Sequence, residues 1–253
     1  RDDAEVARHL LTVDSNFGID LSEQHAASAR FYADAQLSDG TWAQRVWAHN
    51  GRLAPGWGNG RVTGDEGVQY PADSTASVLA YLARYLRLGS PDTDLVARIT
   101  GTIEDGLDAL ETLLADDGFP KPCQDVWESD TGRFTHTAAS MLLALSAIAR
   151  APVDETLRLR ASDCADDVYD AIGERWHDSG VFERAPGDDA LDVSTLALIC
   201  AHREYAAANG TLDQQRIDRL VEHTATTVDG LSRHDADGEL LGLVRFEGDG
   251  WRK

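Results

Sequence analysis

The chain has 253 residues, 42% of them hydrophobic, with 44 acidic side chains against 23 basic ones and a formal net charge of −21. That length and apolar content suffice for one large domain, residues 1–253, with a substantial core, while the negative surface repels nucleic acid and anionic membranes. The three cysteines, Cys123, Cys164 and Cys200, show no CxxC spacing, so neither a disulfide framework nor a zinc site is expected, and no apolar run approaches the roughly 20 residues of a membrane span.

Helical patterning begins at once, over residues 3–14 and 21–36. Three further segments, opening at Asp73, Thr135 and Asp192, align with one another at a period of about 60 residues. Each starts with a polar, Ser/Thr-containing cap and runs through an Ala- and Leu-rich helix. Each then breaks at a short Gly/Pro/Asp/Asn linker and resumes as a more charged helix. The first member of each pair reads as buried and the second as an amphipathic outer helix. Eight helices in four hairpins result.

Longer connections alternate with the short linkers, over residues 37–72, 116–134, 176–191 and 230–253. Turn signals at 129–132, 177–180 and 235–238 predict small β-hairpins inside them. The DADGE run at 235–239 lacks the spacing of a calcium loop and reads as a turn. Helical hairpins with inner and outer members repeat most economically as an all-α, (α/α) toroid, here a partial barrel, whose long loops gather at one end. A site belongs at that end.

The second of these longer connections, with the start of the helix after it, contains PCQDVWESDTGRFTHTAA, in which Glu128 stands beside Trp127. Burial of a carboxyl against an indole disfavours the charged form, which is how a general acid keeps its proton near neutral pH. The plain alternative is a solvated loop Glu beside a packing Trp.

With these residues in view, the chain resembles glycoside hydrolase family fifteen, the glucoamylase-like enzymes that fold as a six-hairpin (α/α) barrel and hydrolyse α-glucosidic bonds with inversion. Arg1-Asp2 followed by Asp3-Ala4 is similar to the end of the family's aromatic-x-R-D-A motif, whose Arg and Asp hold sugar hydroxyls. Asp39-Gly40-Thr41-Trp42 with Gln44, then Asn50-Gly51-Arg52-Leu53, resembles its DGS/T-aromatic and DGR loop. Gln69 and Asp73 resemble its Q-x-D-E element, with two residues inserted and Ser74 in place of Glu. Asp125-Val126-Trp127-Glu128 resembles its D-L-W-E, in which the Glu is the general acid, and Arg245-Phe246-Glu247-Gly248-Asp249 resembles its R-Y-E-G-D loop, whose Arg contacts substrate.

The resemblance implies release of glucose from the non-reducing ends of α-glucosides, with Glu128 catalytic and Arg1, Asp2, Gln69, Asp73, Asp125, Trp127 and Arg245 on the substrate side. Trp57, in a Gly-rich loop, is a further stacking candidate. No cofactor or metal is implied. Ser129 stands where the family often has a second acid, and the general base is expected in a segment beyond Lys253, with about one helix expected before Arg1.

The near absence of lysine, Lys121 and Lys253 apart, with so much Asp, resembles the surfaces of proteins from salt-saturated cytoplasm. A cytoplasmic location is the matching expectation. Two other functions fit parts of the chain. One is a non-catalytic, glycan-binding member of the same fold. The other is an all-α Mg-diphosphate enzyme, suggested by the DDxxD string from Asp166 to Asp170.

Overall fold

The computed structural model describes residues 2–52, 54 and 72–249. Eight α-helices follow in chain order: α1 (Asp2–Phe17), α2 (Ser22–Ala35), α3 (Ala72–Leu88), α4 (Thr93–Leu113), α5 (Thr135–Ala149), α6 (Glu155–Gly173), α7 (Ala197–Asn209) and α8 (Gln214–Leu231). The odd-numbered helices pack side by side in the order α1, α3, α5, α7, and α2, α4 and α6 lie outside them, so the hairpins form an arc of an (α/α) toroid.

Composition explains which helix goes where. Nearly every residue of α3 from Ala72 to Leu86 is buried, as are most of α5, because each inner helix is covered by neighbours on both flanks and by its outer partner. Helices α4 and α6 bury one stripe only, Ile99, Ile103, Leu107 and Leu110 on the first and Leu157, Ala161, Ala165 and Val168 on the second. The core between the layers carries stacked Tyr81 and Tyr85 with Leu79, Leu82, Met141 and Leu142.

The outer helices start alike. Asp92, Asp154 and Asp213 sit at the N-caps of α4, α6 and α8, and each accepts the backbone N–H three residues on, from Leu95, Leu157 and Arg216. The inner helices start differently, from the long loops. The third repeat departs from the expected helix over its first residues: Val193–Leu196 is a 3-10 turn before α7, because the Asp192 side chain takes the Ser194 N–H and its carbonyl takes Thr195 Oγ.

Three two-stranded antiparallel ribbons lie in the loops: β1 (Cys123–Gln124) with β2 (Thr131–Gly132), β3 (Trp176–His177) with β4 (Val181–Phe182), and β5 (Ser232–His234) with β6 (Leu240–Leu243). The second and third turn at the expected positions, on Gly180 and Gly238 with positive φ. In the first, Thr131 and Gly132 are strand residues, and the turn is the wider run 125–130 that carries Glu128. Its ends close through the Asp125 N–H to the Asp130 carbonyl, 2.9 Å.

Candidate active site

The loop 125–130 is organised by Asp125, which is buried. Its Oδ1 accepts the backbone N–H groups of Ser129 at 2.7 Å and Asp130 at 3.0 Å. Between these anchors Glu128 is held at φ +60°, the left-handed region, where among the described residues every other occupant is glycine. A side chain in that conformation stores roughly 1–2 kcal/mol, and such strain tends to concentrate at functional sites.

Glu128 is aimed at a cavity of about 760 Å³. Asp2 and Asp3 at the start of α1, Phe31 and Tyr32 of α2, and Trp42, Arg45 and Trp47 of the following loop line it. Arg45 Nη2 stands 3.9 Å from Glu128 Oε1. The floor is fixed: Trp42 is buried with its indole N–H on the Tyr32 carbonyl at 2.8 Å, and Tyr32 gives its hydroxyl to Asp3 Oδ2 at 2.6 Å. Burial, then the neighbouring Asp3, pushes the Tyr32 phenol well above its ordinary value, so it stays a donor.

Trp127 faces the other way. Its indole N–H is shared between both oxygens of Asp192, 3.1 Å each, and its ring lies 6.3 Å from Phe246 with the Arg245 guanidinium 5.4 Å from its centroid. Arg245 is held by a two-pronged ion pair to Asp249, at 2.8 and 2.9 Å. Arg184 then ties the loops together: it approaches Asp125 at 3.7 Å, Asp130 at 3.0 Å and Asp192 at 3.4 Å. Backbone bonds complete the junction, from the Val193 N–H to the Arg245 carbonyl and from the Glu247 N–H to the Leu191 carbonyl.

Asp73, at the start of α3, is buried with His136 Nδ1 at 3.9 Å. It lies near enough to Cys123 that, after burial, its charge and that of Asp125 help to push that thiol up to about 11.

The structure therefore joins Asp125, Trp127 and Arg245 in one loop cluster. Glu128 of the same loop lines the cavity with Asp2, while Asp73 is not part of that lining and lies beside His136 and near Cys123. Arg1, Trp57 and Gln69 lie outside the described residues. Among the contributors not singled out as site residues from sequence are Arg45, Arg184 and Asp192, with Phe31, Tyr32 and Trp47 of the cavity lining. Asp192 did mark the start of a repeat, but a helix-capping Asp gives no sign that its carboxylate also anchors an indole 65 positions away.

Of the DDxxD string, Asp166 is exposed on α6 and already accepts Tyr205 Oη at 2.6 Å and Asn209 Nδ2 at 3.1 Å. Among the described residues no group of three or more His, Cys, Asp or Glu side chains is arranged to hold a metal ion.

No family model and no curated protein matches the chain. Its fold is similar to that of a solved rhamnosidase from Klebsiella oxytoca with rhamnose bound, with a TM-score of 0.54 at 14% sequence identity. The match covers 90% of this chain and 45% of that one, so the chain spans less than half the length of the structure it resembles. What the likeness establishes is the all-α toroid of helical hairpins.

Proposed function

We propose that the chain carries the acid-bearing side of a glycosidase that releases glucose from the non-reducing ends of α-glucosides with inversion. The observation that carries this reading is Glu128, strained into the left-handed region and directed into a cavity of about 760 Å³. That volume is typical of a small-molecule site, and the aromatic lining suits sugar faces. The toroid shared with a rhamnosidase adds support for carbohydrate chemistry, and the ordered motif series around Asp125-Val126-Trp127-Glu128 favours glucose.

In this mechanism Glu128 protonates the leaving glycosidic oxygen as charge builds on the sugar, and a second carboxylate activates water on the opposite face. Arg45 pairs with Glu128 once the proton has gone. Asp2, with Arg1 before it, binds hydroxyls of the terminal sugar by charge-assisted bonds, and Arg245, which is not part of the cavity lining, is given the same role by the motif resemblance alone. Trp127, fixed by Asp192, holds the acid loop against the Arg245 loop.

Glu128→Gln in the full chain is expected to lower turnover by about 10²- to 10⁴-fold with an unchanged circular dichroism spectrum; activity within tenfold of wild type would refute the assignment. Proton NMR of maltooligosaccharides and trehalose during digestion reads the stereochemistry. β-Glucose should appear first, whereas early α-glucose would exclude inversion. Sugar binding without any turnover would make the protein a glycan-binding member of the fold. The assay belongs in multimolar KCl, because a net charge of −21 repels itself strongly at low salt, as in the salt-rich cytoplasm we propose for it.

A further inference from the structure

At the opposite end of the inner helices the charge balance reverses. Arg84 and Arg87 on the last turns of α3, Arg150 at the C-cap of α5 and Glu204 of α7 form one cluster, about 20 Å along α3 from Asp73 at 1.5 Å per residue. Glu204 is buried and takes all three guanidiniums: Arg150 at 2.6 Å, Arg87 at 3.3 Å and Arg84 at 3.7 Å.

Three cations thus face one carboxylate, in a chain whose acidic side chains outnumber its basic ones nearly two to one. The partial negative C-termini of α3 and α5 offset about one charge at most. The excess is felt inside the cluster. Burial chiefly depresses the Arg84 and Arg87 guanidiniums below their ordinary value; repulsion from Arg87, Arg8 and Arg203 adds to this for Arg84, and repulsion from Arg150 for Arg87. The Nε–H groups of Arg84 and Arg87 are buried without an acceptor. Uncompensated positive charge in a partly buried cluster is a cost that a nearby anion lowers.

We propose that Arg84, Arg87 and Arg150 form a binding site for a small tetrahedral oxyanion, separate from the cavity at Glu128. The three arginine side chains are 19%, 24% and 26% exposed, so Nη–H donors from two inner helices remain to meet an oxyanion beside Glu204. Glu204 occupies one side of the cluster and sets the spacing of the three arginines.

The test is thermal unfolding of the full chain titrated with sodium sulfate at fixed ionic strength, with chloride as the background salt. Wild type should show a saturable rise in Tm. Arg150→Gln should weaken the apparent sulfate affinity about tenfold, the loss of one charge-assisted contact. Glu204→Gln separates binding from mere packing: it lowers basal stability but, by deleting the one carboxylate that the described residues bring to the three arginines, should tighten sulfate severalfold. Identical sulfate responses in wild type and both variants, or a rise that never saturates, would overturn the proposal. Acetate should act no differently from chloride, and a saturable acetate response equal to that of sulfate would overturn the choice of ligand.

Discussion

Glu128 shows how one turn can hold an L-residue in a conformation that, among the described residues, is otherwise left to glycine. An L-residue in the left-handed region costs about 1–2 kcal/mol, and the loop tolerates it because Asp125 fixes the two following N–H groups while Arg184 ties both ends of the turn. Replacement by glycine removes the strain but adds roughly 0.5–1 kcal/mol of unfolded-state entropy. Glu128→Gly is therefore expected to be more stable than Glu128→Gln by about 0.5–1 kcal/mol, both lacking the carboxyl of the proposed acid. Urea unfolding of the pair decides it; equal midpoints would mean that the φ angle carries no strain. The sequence pointed to Glu128 through its neighbour Trp127, expected to form a dry wall. In the structure the indole is committed to Asp192, and the cavity beside Glu128 is lined by Phe31, Tyr32, Trp42 and Trp47 instead. Adjacency along a turn does not say which way two consecutive side chains point.

At the scale of elements, helices were legible because period and capping agree. Asp92, Asp154 and Asp213 recur at the repeat and perform the same capping bond. The 3-10 start before α7 was not legible, since Asp-x-Ser-Thr caps an α-helix just as readily. The Asp39-Gly40-Thr41 turn was recognised as a motif, but its physical reason lies on α4. Gly40 has φ +81°, and a Cβ there would meet the Asp105 carbonyl oxygen at 2.1 Å. Asp154→Ala is expected to cost about 1 kcal/mol, the usual worth of an N-cap. Gly40→Ala should cost at least about 2 kcal/mol, combining a backbone clash with a disfavoured φ. Chemical denaturation that ranks the two in the reverse order would show that the turn yields where α4 does not.

For the whole molecule, the four-hairpin plan followed from the repeat, and the side-by-side order of inner helices followed from which members are apolar throughout. The buried histidines did not. His202 and His223 are both depressed to about 4, chiefly by burial. His202 Nε2 accepts from Arg216 at 3.0 Å with Nδ1 on the Leu198 carbonyl, and His223 Nδ1 accepts the Phe182 N–H. An unfolded histidine titrates near 6.5, so between pH 6.5 and 4 the unfolded chain binds protons that the folded one refuses. Stability is then fully present above pH 6.5 and falls as pH drops toward 4, by at most about 3 kcal/mol per histidine. Urea midpoints at pH 7, 5.5 and 4.5 in high KCl, where general charge repulsion is screened, should decline in step. A flat profile would show that neither ring is held neutral.

The meeting of Arg184 and Asp192 joins loops that are far apart along the chain, with one end on the turn of Glu128 and the other beside the Arg245 loop. Loops at the end of a helical toroid are ordinarily free to lengthen and diverge one at a time. Here an inherited change in any of the three reaches the turn of Glu128 through a shared carboxylate and guanidinium. Variation around this junction must come as matched sets, so the three loops diverge together more than the fold alone requires.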